Sequence, residues 1–286
     1  VTTAFVLSGG ASLGAVQVGM LEALWERDVR PDLIVGTSVG ALNGAWLAGG
    51  YDAQGLARLA GIWRGLRRSR VFRPAPLTGL GGFLGLRDHL VSDRGLRALI
   101  RNHLAFDRLE DAPIPLHVIA VDILEGADVR LSQGPAEDAI VASASIPGLL
   151  PPVRIDGRSL VDGGVVDNSP IAHAVELGAD RVWVLPTGYP CSLDVLPRGA
   201  LGMALAGATL AINQRLALDV ERYSSRVDLR VLPPLCPLGT SPADFRHADD
   251  LITRGRAESA RWLDETHPPG HSESDPAELL APHGHS

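Results

Sequence analysis

The sequence predicts an α/β protein built on a mostly parallel sheet with helices packed against it. Three observations carry that prediction. Thr3–Leu7 is a short apolar run, followed by the loop Ser8–Gly14 and then by Ala15–Arg27, where Val16, Met20, Leu21 and Leu24 recur at helical spacing. The same order returns at once, with an apolar run over Asp32–Val35, a second glycine turn and an apolar stretch over Ala41–Ala48. Successive strand–loop–helix units with short connections favour parallel strands flanked by helices. Size is the third observation. A chain of 286 residues with 45% hydrophobic content is long enough for one large core. No linker composition interrupts it before Pro268, so a single domain over 1–267 and a disordered tail over 268–286 are expected.

Composition narrows the function classes. The net charge is −7 and no basic run is present, which argues against nucleic acid as a partner. Lysine is absent, so arginine carries every fixed positive side-chain charge. Cys191 and Cys236 have no metal-like spacing, and nothing in the pattern asks for a disulfide. There is no N-terminal basic-plus-apolar signal and no long uncharged apolar run, so a soluble, cytoplasmic protein is expected.

In the first unit, the loop Ser8-Gly9-Gly10-Ala11-Ser12-Leu13-Gly14 lacks the third glycine of a dinucleotide fingerprint, since Ala11 stands there. It reads either as a tight strand-to-helix turn or as a source of backbone N–H groups, around Gly10 and Ala11, for a developing oxyanion. In the second unit, Gly36-Thr37-Ser38-Val39-Gly40 sets a serine between two glycines on a strand-to-helix turn, the layout of a nucleophile elbow. Side chains at Gly36 or Gly40 would crowd such a turn, and the helix that follows directs free N–H groups toward an anion beside the hydroxyl.

Further along, Ala53–Trp63 reads as a helix. The stretch Val71–Leu90, with Pro74, Pro76 and the Gly/Leu-rich run Leu77–Leu86, has no clean period and is either a cap over an apolar site or a packed surface loop. Ser92-Asp93-Arg94 starts a helix with Leu96, Leu99 and Ile100 turned inward. Leu116–Asp122 is a strong strand and Val129–Leu131 a weaker one. Ala136–Ser145 is a helix of small residues stopped by Pro147, and its Ser143 and Ser145 read as packing. Asp156-Gly157 marks a hairpin turn, with Leu160-Val161 on the return strand. Asp162 then precedes Gly163 and Gly164, which on local grounds is ordinary turn chemistry. A helix within Val165–Leu177 after Pro170, a strand Arg181–Leu185, a long helix Gly199–Val220, a strand Val227–Leu232 and a helix His247–Glu265 complete the pattern. The tail histidines His271, His283 and His285 read as solvated, with weak metal binding as the alternative.

Taken together, Gly9-Gly10-Ala11-Ser12-Leu13-Gly14, Gly36-Thr37-Ser38-Val39-Gly40 and Asp162-Gly163-Gly164 resemble, in order and spacing, the three motifs of patatin-like phospholipases. The likeness runs from about Thr3 to Leu185 and includes Ala144-Ser145-Ile146-Pro147 and Leu177-Gly178-Ala179-Asp180. The resemblance implies a three-layer α/β/α domain with a mostly parallel central sheet. It also implies a Ser38–Asp162 dyad, with Ser38 as nucleophile and Asp162 taking its proton without a histidine. Gly9, Gly10, Ala11, Gly14 and Val39 would border the oxyanion, and Gly36, Gly40, Gly163 and Gly164 would support the motifs. The implied partner is a lipid or related ester, with peripheral membrane contact as an option and no cofactor or metal. Two positions depart from the family pattern: Ala11 replaces a glycine and Leu13 a basic residue.

Other readings stay open at this point. A histidine-dependent triad would draw on His117, His173 or His247, each of which also reads as a surface or packing residue. A lipid-binding or regulatory module with little turnover would fit the altered glycine loop. An acyltransferase would use the same serine.

Overall fold

A computed structural model describes residues 1–72, 88–188, 199–236 and 240–266. Its strands form where apolar residues run together or alternate: β1 (Thr3–Leu7), β2 (Leu33–Thr37), β3 (Leu116–Asp122), β4 (Ala127–Leu131), β5 (Val153–Ile155), β6 (Arg158–Asp162), β7 (Arg181–Leu185) and β8 (Asp228–Val231). Among the described residues they join one sheet in the order β5-β6-β3-β2-β1-β7-β8, with β4 beside β3. The centre is parallel, through β3, β2, β1, β7 and β8. β4 and β6 run antiparallel to β3, and β5 pairs antiparallel with β6. The β5–β6 turn falls on Asp156 and Gly157, both at positive φ, as a tight hairpin requires.

The helices are α1 (Ala15–Glu26), α2 (Val39–Ala48), α3 (Ala53–Gly65), α4 (Arg68–Val71), α5 (Arg94–His103), α6 (Ala136–Ser143), α7 (Ile171–Glu176), α8 (Gly199–Tyr223) and α9 (Ala248–Thr266). Two-residue periodicity sends alternate strand residues to opposite faces. Phe5, Leu7, Ile34, Trp183 and Leu185 face a large core shared with α1, α2, α3, α6 and α9. Ala4, Val6, Val35, Val182 and Val184 face a smaller one closed by Ile171, Ala174, Leu216 and Val220 from α7 and α8. The result is three layers, helix–sheet–helix. Each large apolar side chain fully buried in these faces contributes about 1.5–3 kcal/mol.

One helix contact is unusually close. A Cβ at Gly19 of α1 would overlap the Ile252 carbonyl of α9, and one at Gly255 would come within 2.6 Å of the Val16 carbonyl. Bare backbone on both sides lets α1 and α9 touch without side chains between them.

The expected elements are present with shifted ends. α2 begins at Val39 rather than Ala41, because the turn residue Ser38 is itself the cap. The helix expected after Pro170 covers Ile171–Glu176, and Gly163–Val165 before it is a single 3-10 turn. Between them the Asp167 N–H donates to the Gly163 carbonyl, and the Asp167 carbonyl, which a continuing helix would offer to the Ile171 N–H, accepts from Thr37 Oγ1. Cys236 is disulfide-bonded, although its spacing suggested nothing of the kind. The run Leu77–Leu86, Cys191 and the tail from Pro268 lie outside the described residues.

Candidate active site

Sheet register brings the chemistry together. Thr37 pairs with Ile119, which sets Ser38 level with Ala120, and Ala120 pairs on its other side with Asp162. On the other flank of β2, Leu7 pairs with Gly36, so the glycine loop leaves β1 beside the same turn. Two side chains 124 positions apart thus meet across one strand end.

Ser38 has φ 55° and ψ −122°, a conformation that costs a non-glycine residue on the order of 1–3 kcal/mol. The neighbouring glycines make it attainable. A Cβ at Gly40 would run into the Leu7 carbonyl, and one at Gly36 would lie 2.6 Å from the Gly40 carbonyl oxygen.

Ser38 Oγ donates to Asp162 Oδ2 at 2.7 Å. The other carboxylate oxygen accepts the Gly164 N–H at 2.8 Å, and the Asp162 N–H donates to the Ser145 carbonyl at 2.9 Å. Both side chains are buried, each 6% exposed. Burial pushes the Asp162 carboxyl up to about 6, against the opposing pull of the hydrogen bonds from Ser38 and Gly164. An ordinary turn aspartate would be solvated, so the local reading of Asp162 fails for lack of the third strand, β3, that seals it.

Ser143, read from sequence as packing, does more. Its Oγ accepts the Ser38 N–H at 2.8 Å and donates to the Ile119 carbonyl at 2.5 Å. Ser143→Ala leaves the buried Ser38 amide without its acceptor. The expected result is a loss of about 1–3 kcal/mol in chemical denaturation together with slower turnover. Ser145 does pack as expected, its hydroxyl bonded to the Val141 carbonyl.

The glycine loop is sorted by what its amides already do. The Gly9 N–H donates to the Asn168 carbonyl at 3.1 Å, and the Gly9 carbonyl accepts from Thr187 Oγ1. Gly9 is therefore an anchor of the loop rather than an anion donor, a correction to its expected place. The Ser12 and Leu13 amides are also taken, by the Pro242 and Gly10 carbonyls. Gly10, Ala11 and, at the first turn of α2, Val39 have no acceptor for their N–H among the described residues. Gly14 packs against Val39. Gly163 and Gly164 lie against the Ile119 carbonyl and the Asn168 side chain. Ala11 sits at φ 51°, where its methyl is strained. Ala11→Gly is expected to raise stability by about 1 kcal/mol, read as a higher denaturation midpoint.

A buried polar network fixes this loop. Gln17 Nε2 donates to the Ser8 and Leu185 carbonyls, binding the ends of β1 and β7. Asn43 Nδ2 donates to the Gly14 carbonyl and to Gln17 Oε1, and Asn43 Oδ1 accepts from Trp63 Nε1. The signal for it in the sequence was one amide, Gln17 or Asn43, among the apolar residues of each of α1 and α2.

Beside Ser38 opens an apolar cleft lined by Ala11, Val39, Trp46, Phe72 and Ile146, among others. The candidate triad histidines take other partners. His117 Nδ1 bonds to Ser132 Oγ, His173 Nε2 to Asp128 Oδ2, and His247 lies near Asp244.

A family model for patatin-like phospholipases matches residues 5–175, a span that contains the glycine loop, Ser38 and Asp162. The chain belongs to the patatin-like phospholipase family. An uncharacterized NTE family protein of Mycobacterium tuberculosis is 32% identical over 179 residues, covering 62% of this chain and 46% of the relative. Lysophospholipase NTE1 of Kluyveromyces lactis is 30% identical over 217 residues, covering 73% of this chain and 14% of the relative. This patatin-like chain thus spans less than half the length of either. Among solved structures, VipD from Legionella pneumophila superposes with a TM-score of 0.51 at 17% identity, over 92% of this chain and 67% of that one, a likeness of fold. No described helix of this family member is long and apolar enough to cross a membrane.

Proposed function

We propose that this patatin-like protein is a serine acyl hydrolase acting on lipid esters of the phospholipid or lysophospholipid class through a Ser38–Asp162 dyad. The single observation that carries the reading is the 2.7 Å hydrogen bond from Ser38 Oγ to a buried Asp162, at the edge of an apolar cleft. A serine hydroxyl is a weak nucleophile and needs a base within hydrogen-bond reach. Burial makes Asp162 a stronger base than a solvated aspartate.

In the proposed reaction the acyl chain lies in the apolar cleft and Ser38 Oγ attacks the ester carbonyl carbon. Asp162 takes the hydroxyl proton. The N–H groups of Gly10, Ala11 and Val39 stabilise the oxyanion, each such donor being worth roughly 3 kcal/mol. The tetrahedral species collapses with loss of the alcohol, which receives the proton from Asp162. Water, deprotonated in turn by Asp162, attacks the acyl-serine carbonyl, and collapse releases the fatty acid as Asp162 returns the proton to Ser38 Oγ. The Kluyveromyces lactis relative is named a lysophospholipase, which favours a monoacyl lipid as the first substrate to try.

Two measurements test this. A fluorophosphonate probe should label the wild-type protein at Ser38 and leave Ser38→Ala unlabelled; labelling elsewhere, or none, rejects the nucleophile. Because Asp162 must be ionised to accept the proton, kcat/KM for short-chain esters should rise with pH through about 6 and then level off. An acid limb near the ordinary carboxylate range, or one that persists in Asp162→Asn, would assign the base elsewhere.

A further inference from the structure

Near the end of β2, three ligand-type side chains converge that the proposed hydrolase chemistry does not use. Asp128 comes from β4, Asp167 from the loop that follows Asp162-Gly163-Gly164, and His173 from α7. One ligand atom from each lies within 4.8 Å of the other two. His173 Nε2 is 2.5 Å from Asp128 Oδ2 and 3.9 Å from Asp167 Oδ2.

Proximity of acidic groups alone says little. What singles this cluster out is Asp167. Its side chain is only 3% exposed, and Oδ1 has no hydrogen-bond partner among the described residues. Leaving a buried carboxylate oxygen unpaired is costly, and such groups are normally paired, hydrogen-bonded or bound to metal. The charge balance points the same way. Asp128, Asp167 and Glu176 bring three carboxylates, while Arg130 beside Glu176 and His173 supplies one guanidinium. The nearby Arg215 is engaged with Asp219.

We infer that Asp128, Asp167 and His173 form a binding site for one divalent transition-metal ion, with Glu176 orienting the histidine. One imidazole nitrogen and two carboxylates suit such a cation. At metal–ligand distances of about 2.0–2.2 Å the ligand atoms stand about 3.3 Å apart. The His173–Asp128 contact therefore opens slightly and Asp167 closes by a similar amount. With Nε2 on the metal, Nδ1 carries the ring proton and turns it to Glu176 Oε2, 3.8 Å away, and Arg130 Nη1, now 3.4 Å from Nδ1, gives up that contact and keeps its bond to Glu176, the carboxylate–histidine–metal arrangement that fixes a ligand ring. Asp128 is partly exposed and gives the ion a route in from solvent. None of the three residues touches Ser38 or Asp162, so the ion acts by positioning. It ties β4 and α7 to the loop whose Asp167 carbonyl accepts from Thr37, next to Ser38, and whose Asn168 carbonyl holds Gly9. The site does not depend on the hydrolase reading.

The test uses the full chain with His271, His283 and His285 changed to Gln, which removes adventitious ligands in the tail. Equilibrium dialysis against zinc should give one ion per chain, and zinc should raise the melting temperature. Cobalt in its place should give visible d–d absorption bands. Asp128→Asn, at a partly exposed position, should weaken zinc affinity at least tenfold while the metal-free melting curve shows that the variant is folded. Asp167→Asn should do the same. Absence of stoichiometric binding once the tail histidines are gone, or affinity unchanged by both variants, would overturn the site.

Discussion

Ser38→Ala is expected to lower ester hydrolysis by about 10⁴-fold or more, to the level left by substrate binding and oxyanion donors alone. The protein should remain folded, since the substitution removes one buried hydroxyl and keeps the backbone cap of α2. Its partner Asp162 then loses a hydrogen bond that favours its charged form, so some loss of stability above neutral pH accompanies the loss of activity. Steady-state hydrolysis of p-nitrophenyl esters, together with circular dichroism, checks both halves. Residual activity within tenfold of wild type would remove Ser38 from the mechanism.

The second large effect is a divergence between activity and stability in Asp162→Asn. Activity should fall about as far as in Ser38→Ala, and the double variant should be little worse than either single one, because the two groups act as a unit. Stability should move the opposite way. The folded protein holds the Asp162 carboxyl up at about 6, above its reference value of 3.8. Between these values the folded state binds more protons than the unfolded one, so wild-type stability declines as pH rises through that window. Above it, the buried charge costs the native state up to about 3 kcal/mol, which asparagine does not incur. The Asp162→Asn variant should therefore match wild type below about pH 4 and exceed it above about pH 6 in denaturant melts. A variant less stable than wild type at pH 8 would mean that the carboxylate is better compensated than its neighbours indicate.

Much of this was legible in the sequence, for identifiable reasons. The parallel strands are short apolar runs bounded by glycine turns, and the elbow is a local motif whose sterics sit within five residues. Asp162 was different. Its neighbours spell a turn, and only the ordered set of three motifs marked it, because its burial depends on β3, a strand some forty residues away in the chain. Ser143 was misread for the same reason: its hydroxyl serves an amide 105 positions earlier. The resemblance sets Gly9 beside the oxyanion, whereas the Asn168 carbonyl, remote in sequence, takes its amide. Apolar periodicity reports layers. Polar contacts between distant segments leave no period to read.

The backbone-to-backbone seam of Gly19 against the Ile252 carbonyl has a bearing on how the molecule is made. α1 carries Gln17, which straps the glycine loop in place, yet α1 finishes packing only against α9, from the opposite end of the described chain. During synthesis, Ser38 leaves the ribosome roughly two hundred residues ahead of α9, so its surroundings close only after that helix has followed. A nascent chain stalled short of α9 would hold Ser38 beside a glycine loop whose supporting helix is still uncovered along its Gly19 flank.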